Sequence, residues 1–154
     1  MLGCCSYGHE DAWPPRVSPT GEAADCQLGL ALRLFDAGLS PRLRAVLPRI
    51  DPGDVAAVGP RDTGELAGLP PPWWLHTDLD VLATGELAAM DYPQPVGLTW
   101  GQLAGLTAAA LAADGCAGWS VCIYSPDLDS GRVGADAIMR YITQAIAASD
   151  QPAR

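Results

Sequence analysis

Two carboxylates two residues apart, Asp78 and Asp80, follow a hydrophobic run that includes Trp73 and Trp74. If this run is a β-strand, His76, Asp78 and Asp80 all project from one face, because every second residue of a strand does so. Uncompensated buried charges are so costly that such carboxylates usually meet a cation, several donors or water. The pattern favours a metal site; the alternative is two loop carboxylates that cap the next turn. His76 would either orient Asp78 or be a packed, hydrogen-bonded histidine.

A second segment repeats this spacing near the start of the chain. His9 and Asp11 stand two residues apart, just after the short apolar run 1–5, which we interpret as a strand. Parallel α/β sheets gather ligands at the carboxyl ends of their strands, so pairs from different strands converge. One histidine and three aspartates suit a hard to borderline cation such as Mn²⁺ better than a metal that prefers thiolates. The alternative for His9 is a structural histidine.

The rest of the chain alternates apolar runs, bounded by Gly and Pro, with helical patterns, which is typical of βα units. Further strands are predicted at 54–59, 73–79 and 119–124, and helices at 22–37, 99–114 and 133–148. Thr99 is the predicted N-cap of the second helix. Residues 84–97 form a predicted long loop beside the proposed site.

Length and composition indicate one domain over residues 1–154. The net charge of −9, with nine Arg and no Lys, argues against nucleic-acid binding, since no basic stripe is present. Five cysteines without CxxC spacing are interpreted as small buried hydrophobes in a reducing, cytoplasmic compartment. No signal peptide is expected, and no apolar run approaches the roughly 20 residues that span a bilayer.

Four stretches of the sequence together resemble one protein family. They are Gly8-His9-Glu10-Asp11 followed by Ser18-Pro19-Thr20-Gly21; Val58-Gly59-Pro60-Arg61-Asp62; His76-Thr77-Asp78-Leu79-Asp80; and Pro95-Val96-Gly97-Leu98-Thr99. In this order and spacing they resemble the ureohydrolases, the family of arginase, agmatinase and formiminoglutamase. With the elements between and after them, the likeness spans about residues 8–147.

The resemblance implies an arginase-like three-layer α/β/α sandwich with a mainly parallel sheet. This chain would be the carboxyl-terminal part of that domain, with the amino-terminal strands missing. The implied cofactor is a pair of Mn²⁺ ions, and the implied reaction is attack of a metal-bound hydroxide on a guanidinium carbon. A small guanidino or amidino substrate and a homo-oligomeric state would follow from the same likeness.

Residue matching within the resemblance assigns roles to individual positions. Thr20 and Gly21 fall where the family's substrate-contacting loop begins, although a simple ST-turn is an equal alternative. The matched metal-ligand positions are His9 and Asp11, from a DxHxD motif, and Asp78 and Asp80, from a DxD motif.

Three positions depart from the family's pattern. Tyr7 stands where the DxHxD motif has its first aspartate, Ala24 where arginases have an active-site histidine, and Ile123 where they have a glutamate. These departures leave two hypotheses open. The chain is either an arginase-family metallohydrolase or a non-catalytic, degenerate or truncated member that keeps the fold and part of the metal site.

Overall fold

The computed structural model describes residues 2–6, 12–18, 20–36, 39–47, 49–57 and 72–150. Its strands are β1 (Leu2–Ser6), β2 (Val55–Ala57), β3 (Trp73–Asp78) and β4 (Cys116–Cys122), and its helices are α1 (Gln27–Ala31), α2 (Pro41–Val46), α3 (Trp100–Ala112) and α4 (Val133–Ser149). The strands form one sheet in the order β2–β1–β3–β4, and every neighbouring pair is parallel. β1 is followed by α1 and α2, and β3 and β4 are each followed by one helix, as the predicted βα units require; residues 58–71, between β2 and β3, lie outside the described residues.

The strand order creates a switch in direction at the centre of the sheet. From β1 the chain moves outward to β2 on one side, whereas from β3 it moves outward to β4 on the other. Parallel crossovers are almost always right-handed, so the helices of these two connections cover opposite faces of the sheet. Ligands of open α/β sheets bind outside the carboxyl ends of the strands at such a switch point. Here that point lies between β1 and β3.

Strand pairing fixes which side chains share a face. Gly3 pairs with Val55 on one side and with Trp74 on the other, while Leu75 pairs with Trp119. Paired residues of neighbouring strands point to the same face, and consecutive residues of one strand point to opposite faces. Val55 and Trp119 therefore lie on opposite faces of the sheet.

Helices pack against both of these faces. Val55 packs with Leu28 and Leu32, the apolar residues in and just after α1. On the other face, the ring of Tyr141 from α4 meets Trp119 edge-on, with ring centroids 5.5 Å apart. The predicted α/β/α arrangement with a parallel sheet is therefore confirmed, and no helix within the described ranges is long and apolar enough to cross a membrane.

The predicted start of α3 and the loop before it are also confirmed. Thr99 accepts a hydrogen bond from the backbone N–H of Gln102 at 3.2 Å, and the Gln102 side chain accepts from the Thr99 N–H at 2.9 Å. This reciprocal capping box satisfies two N–H groups that the helix itself leaves without partners. The preceding loop passes close to the chain after β3, because a Cβ on Gly97 would lie 2.5 Å from backbone atoms of Leu82 and Ala83. Only glycine fits at that position.

The predicted helix over residues 22–37 is wrong in its extent. A 3₁₀ turn covers Ala24–Cys26, and α1 ends at Ala31. Arg33 has φ of +62°, in the left-handed region, which a continuing α-helix excludes. The chain then folds back, and the ring of Phe35 occupies the space that a Cβ on Gly29 would need. Tertiary packing of this ring therefore outweighs the helical periodicity of the segment.

Two predicted strands have different bounds in the structure. β2 covers only Val55–Ala57, and residues 58 and 59 of the prediction lie outside the described residues. β4 begins at Cys116, three residues before the predicted start, and ends at Cys122. Ile123 ends it, because its φ of +63° is incompatible with an extended strand.

Candidate functional site

The strand that carries the candidate ligands ends earlier than the sequence pattern suggested. β3 ends at Asp78, and a single 3₁₀ turn covers Leu79–Val81. The expectation that His76, Asp78 and Asp80 share one strand face is therefore wrong for Asp80, because Asp80 lies within the turn. It remains correct for His76 and Asp78, which are alternate residues of β3.

Asp78 is a buried carboxylate at the carboxyl end of β3. Its side chain is 8% exposed, and its Oδ1 lies 3.2 Å from Nε2 of His76. Although Asp78 occupies the N-cap position of the turn that follows, its side chain makes no capping hydrogen bond. The capping alternative therefore does not apply to Asp78. A buried carboxylate of this kind retains lone pairs that can accept a cation.

His76 is held on both sides of its ring. Its Nδ1 lies 2.7 Å from Oγ of Ser120, which also accepts a hydrogen bond from the indole N–H of Trp74 at 3.2 Å. The hydrogen bond to Asp78 raises the pKa of His76 above its ordinary value of 6.5, while partial burial acts in the opposite direction. His76 therefore combines both predicted roles: it is a hydrogen-bonded histidine and it contacts Asp78.

The pairing of β3 with β4 adds a cysteine to this pair. Asp78 is level with Cys122, and His76 is level with Ser120. The ligand atoms of His76, Asp78 and Cys122 lie within 4.8 Å of one another. Partial desolvation at the sheet edge raises the pKa of the Cys122 thiol above its ordinary value of 9.0, and the negative charge of Asp78 raises it further.

The interpretation of the cysteines as buried hydrophobes needs one correction. It is right for Cys26, which is 3% exposed; Cys116 is only partly buried, and the interpretation is wrong for Cys122, which is exposed at the end of β4. Cys122 was missed as a site residue because no local spacing links it to Asp78. Only the register between two strands brings them together.

The other predicted metal ligands lie near the same edge of the sheet or outside the described residues. Asp80 is half-buried in the turn after β3. His9 and Asp11 lie outside the described ranges. The strand that precedes them ends at Ser6, which pairs with Thr77. The chain therefore leaves β1 beside the end of β3.

The predicted substrate loop is a hydrogen-bonded turn at the same edge. The Thr20 hydroxyl donates to Asp25 Oδ2 at 3.0 Å and accepts from the Glu22 N–H at 3.1 Å, the second bond forming an ST-turn. Gly21 has φ of +77°, a conformation that glycine adopts without strain. The Tyr92 hydroxyl donates to Glu22 Oε1 at 2.7 Å, which joins this turn to the long loop after β3.

An open cleft lies where these two loops meet. Its volume is about 520 Å³, within the usual range for small-ligand sites. The cleft is lined by Glu22, Met90, Asp91, Tyr92, Pro93 and Leu128. These residues follow β1, β3 and β4 in the sequence, so the cleft belongs to the carboxyl edge of the sheet. Its two carboxylates give it a negative charge.

Two of the three positions that depart from the family's pattern are described by the structure. Ile123 is 38% exposed directly after Cys122, with its backbone in the left-handed region. That conformation is strained for a β-branched residue. Ala24 lies in the 3₁₀ turn Ala24–Cys26, and Tyr7 lies outside the described residues.

Comparison with known proteins identifies the fold. No protein-family model matches the sequence, and no curated protein does so. Among solved structures, arginase from Entamoeba histolytica, in complex with L-ornithine, matches with a TM-score of 0.74 at 19% identity over 94% of this chain. Arginase from Bacillus subtilis matches with a TM-score of 0.73 at 18% identity over 94% of this chain. Formimidoylglutamase from Bacillus subtilis matches with a TM-score of 0.68 at 13% identity over 99% of this chain.

The matches cover most of this chain but only part of each solved structure. The aligned part is 59% of the Entamoeba arginase chain, 63% of the Bacillus arginase chain and 54% of the formimidoylglutamase chain. These three proteins are ureohydrolases, and the aligned part extends over at least 94% of this chain. The chain therefore has the ureohydrolase fold.

Proposed function

We propose that this chain belongs to a metallohydrolase that binds Mn²⁺ at the carboxyl ends of β1 and β3 and cleaves a C–N bond of a guanidino or amidino compound. The observation that carries the proposal is the buried carboxylate of Asp78 at the topological switch point. Its position is the one at which open α/β sheets bind their ligands. The likeness of the fold to arginases supports the reaction class.

The donor set fits a hard to borderline divalent ion. Asp78 supplies a carboxylate with spare lone pairs, and Asp80 follows it in the turn. His9 and Asp11 follow β1, the strand that pairs with β3. These four side chains would hold the metal, because oxygen and imidazole ligands suit Mn²⁺. A bound metal ion supplies water activation at neutral pH, which hydrolysis of a guanidinium group requires.

The cleft formed by the loops at the carboxyl edge of the sheet suggests how a cationic substrate would be recognised. Glu22 and Asp91 line a volume of about 520 Å³ and place negative charge around it. A guanidinium head would be attracted to these carboxylates, and a small compound would fit. We further propose a cytoplasmic homo-oligomer that does not bind nucleic acid, in keeping with the net charge of −9.

Calorimetric titration with Mn²⁺ tests the metal site directly. We expect saturable binding that Asp78→Ala and Asp80→Ala each weaken by roughly 100-fold or more, because each removes a ligand. Asp127→Ala is the matched control, since Asp127 is an exposed carboxylate after β4 at the same edge. Absence of saturable binding by the folded protein, or equal loss in the control, would contradict the proposal.

A second candidate function is a metal-binding protein without turnover. Ile123 favours it, because an apolar side chain stands at the end of β4 where arginases carry a glutamate. Release of urea or an amine from a panel of guanidino and amidino compounds, measured with Mn²⁺ present, separates the two candidates. Turnover that Asp78→Ala abolishes supports the hydrolase, whereas Mn²⁺ binding without turnover on any compound supports the second candidate.

A further inference from the structure

The pairing of β3 with β4 places three different metal-binding groups at one point of the sheet. His76, Asp78 and Cys122 offer an imidazole nitrogen, a carboxylate oxygen and a sulfur, all within 4.8 Å of one another. Mn²⁺ prefers oxygen ligands, whereas sulfur and imidazole select zinc-like ions. Cys122 and His76 are not among the positions that the ureohydrolase resemblance matches to metal ligands.

The distances suit a tetrahedral ion. The Nε2 of His76 and Oδ1 of Asp78 are 3.2 Å apart. Two ligand atoms that bind one tetrahedral Zn²⁺ at about 2.0–2.1 Å are separated by roughly 3.3 Å. The sulfur of Cys122 lies within 4.8 Å of both of these atoms, and its side chain is exposed at the end of β4, the outermost strand of the described sheet.

The surroundings of His76 also match those of a metal-bound histidine. Such histidines usually form a hydrogen bond through the ring nitrogen that does not bind the metal, which fixes the orientation of the ring. Here Nδ1 contacts Ser120 Oγ at 2.7 Å, and Trp74 holds Ser120 in turn. This arrangement directs Nε2 toward Asp78. Gly118 leaves room for the Trp74 ring, because a Cβ there would lie 2.2 Å from a ring carbon.

We propose that His76 Nε2, Asp78 Oδ1 and Cys122 Sγ bind a zinc-like divalent cation at the carboxyl ends of β3 and β4. Three protein ligands leave the fourth position of the ion open to water or a small ligand, as in catalytic rather than structural zinc sites. Binding requires His76 Nε2 without a proton, so the ring proton would lie on Nδ1 toward Ser120, and binding also releases the thiol proton of Cys122. The site shares Asp78 with the proposed manganese site. The proposal is argued from the register of β3 and β4, and it does not require that the protein be a hydrolase.

Titration of the reduced protein with Co²⁺, a spectroscopic substitute for Zn²⁺, tests this site. A thiolate ligand gives an intense near-ultraviolet charge-transfer band, which we expect in the wild-type protein and which Zn²⁺ should remove by displacing Co²⁺. Cys122→Ser should abolish the band, and both Cys122→Ser and His76→Gln should lower Zn²⁺ affinity by roughly 10-fold or more. Cys116→Ser and Cys5→Ser are the matched controls, since Cys116 lies on the same strand as Cys122 and Cys5 pairs with His76. Both should keep the band.

The proposal is overturned if the band survives in Cys122→Ser, if either control variant abolishes it, or if the folded wild-type protein gives no band. Circular dichroism of each variant shows whether it is folded, and the serine variants change a single atom.

Asp80→Ala separates this proposal from the hydrolase. It should weaken Mn²⁺ binding but keep the Co²⁺ band. If the wild-type protein does not bind Mn²⁺, the manganese site is contradicted but the zinc-like site is not. If the Co²⁺ band is absent, the zinc-like site is contradicted but the manganese site is not.

Discussion

Two aspartates at the carboxyl edge of the sheet have opposite surroundings. Asp129, in the loop before α4, accepts hydrogen bonds from the Tyr124 hydroxyl at 2.9 Å and from the N–H groups of Gly134 at 3.2 Å and Ala135 at 2.9 Å. Asp78 is more buried, yet within the described part of the chain its side chain has one hydrogen-bond partner, the ring of His76. A carboxylate surrounded by donors stabilises the fold, whereas one that is buried with few donors has capacity left for a cation.

The largest difference between the two aspartates should appear in thermal stability. Asp129→Ala should lower the melting temperature by roughly 2–4 °C, the size expected for loss of a helix cap in a chain of this length. Its removal leaves the N–H groups of Gly134 and Ala135 without their acceptor at the start of α4. Asp78→Asn should cause no comparable loss, because a carboxylate kept for binding does little for stability.

Differential scanning calorimetry of the two variants without added metal makes this comparison. An equal fall in melting temperature for Asp78→Asn would show that Asp78 is structural, and the basis of both metal-site proposals would weaken.

The stabilising effect of the ionised Asp129 side chain should also appear in the pH dependence of the melting temperature. The backbone N–H of Ala135 is the largest cause that holds the pKa of Asp129 below its ordinary value of 3.8, and Gly134 and Tyr124 act in the same direction. Because the pKa is lower in the folded state, the stabilisation is complete above pH 3.8 and is lost as the pH falls through the folded-state value.

Melting temperatures of the wild-type protein and Asp129→Asn, measured from pH 7 to pH 2.5, test the sign of this effect. The difference between the two proteins should stay constant at neutral and mildly acidic pH and shrink below pH 3.8. A difference that grows as the pH falls would mean that Asp129 has a raised pKa.

The smallest effect should come from Tyr124→Phe, which removes one of the donors to Asp129 and leaves the backbone donors in place. The melting temperature should fall by less than for Asp129→Ala. In the Asp129→Ala background the same change should have no further effect, because its acceptor is already absent. An effect of unchanged size in the double variant would show that Tyr124 acts through packing and not through Asp129.

The sequence predicted those features that depend on neighbouring residues. The capping box of Thr99 and Gln102 needs only four consecutive residues, and the structure forms it as expected. The strand at Trp73–Asp78 and the helix at Val133–Ser149 follow from local patterns of apolar residues. The end of α1 could not be predicted in this way, because it depends on Phe35 folding back against Gly29.

By itself, the sequence determined the order of strand and then helix at residues 73–112 and 116–149 and the placement of Asp78 at a strand end, because propensity, capping and apolar periodicity act over a few residues. Only the tertiary structure decided that Asp80 lies in a turn and that Cys122 stands beside Asp78. Those facts depend on where β3 ends and on its register with β4, a strand that lies about forty residues further along the chain. Register is set by the packing of both faces of the sheet at once, and no short segment contains that information.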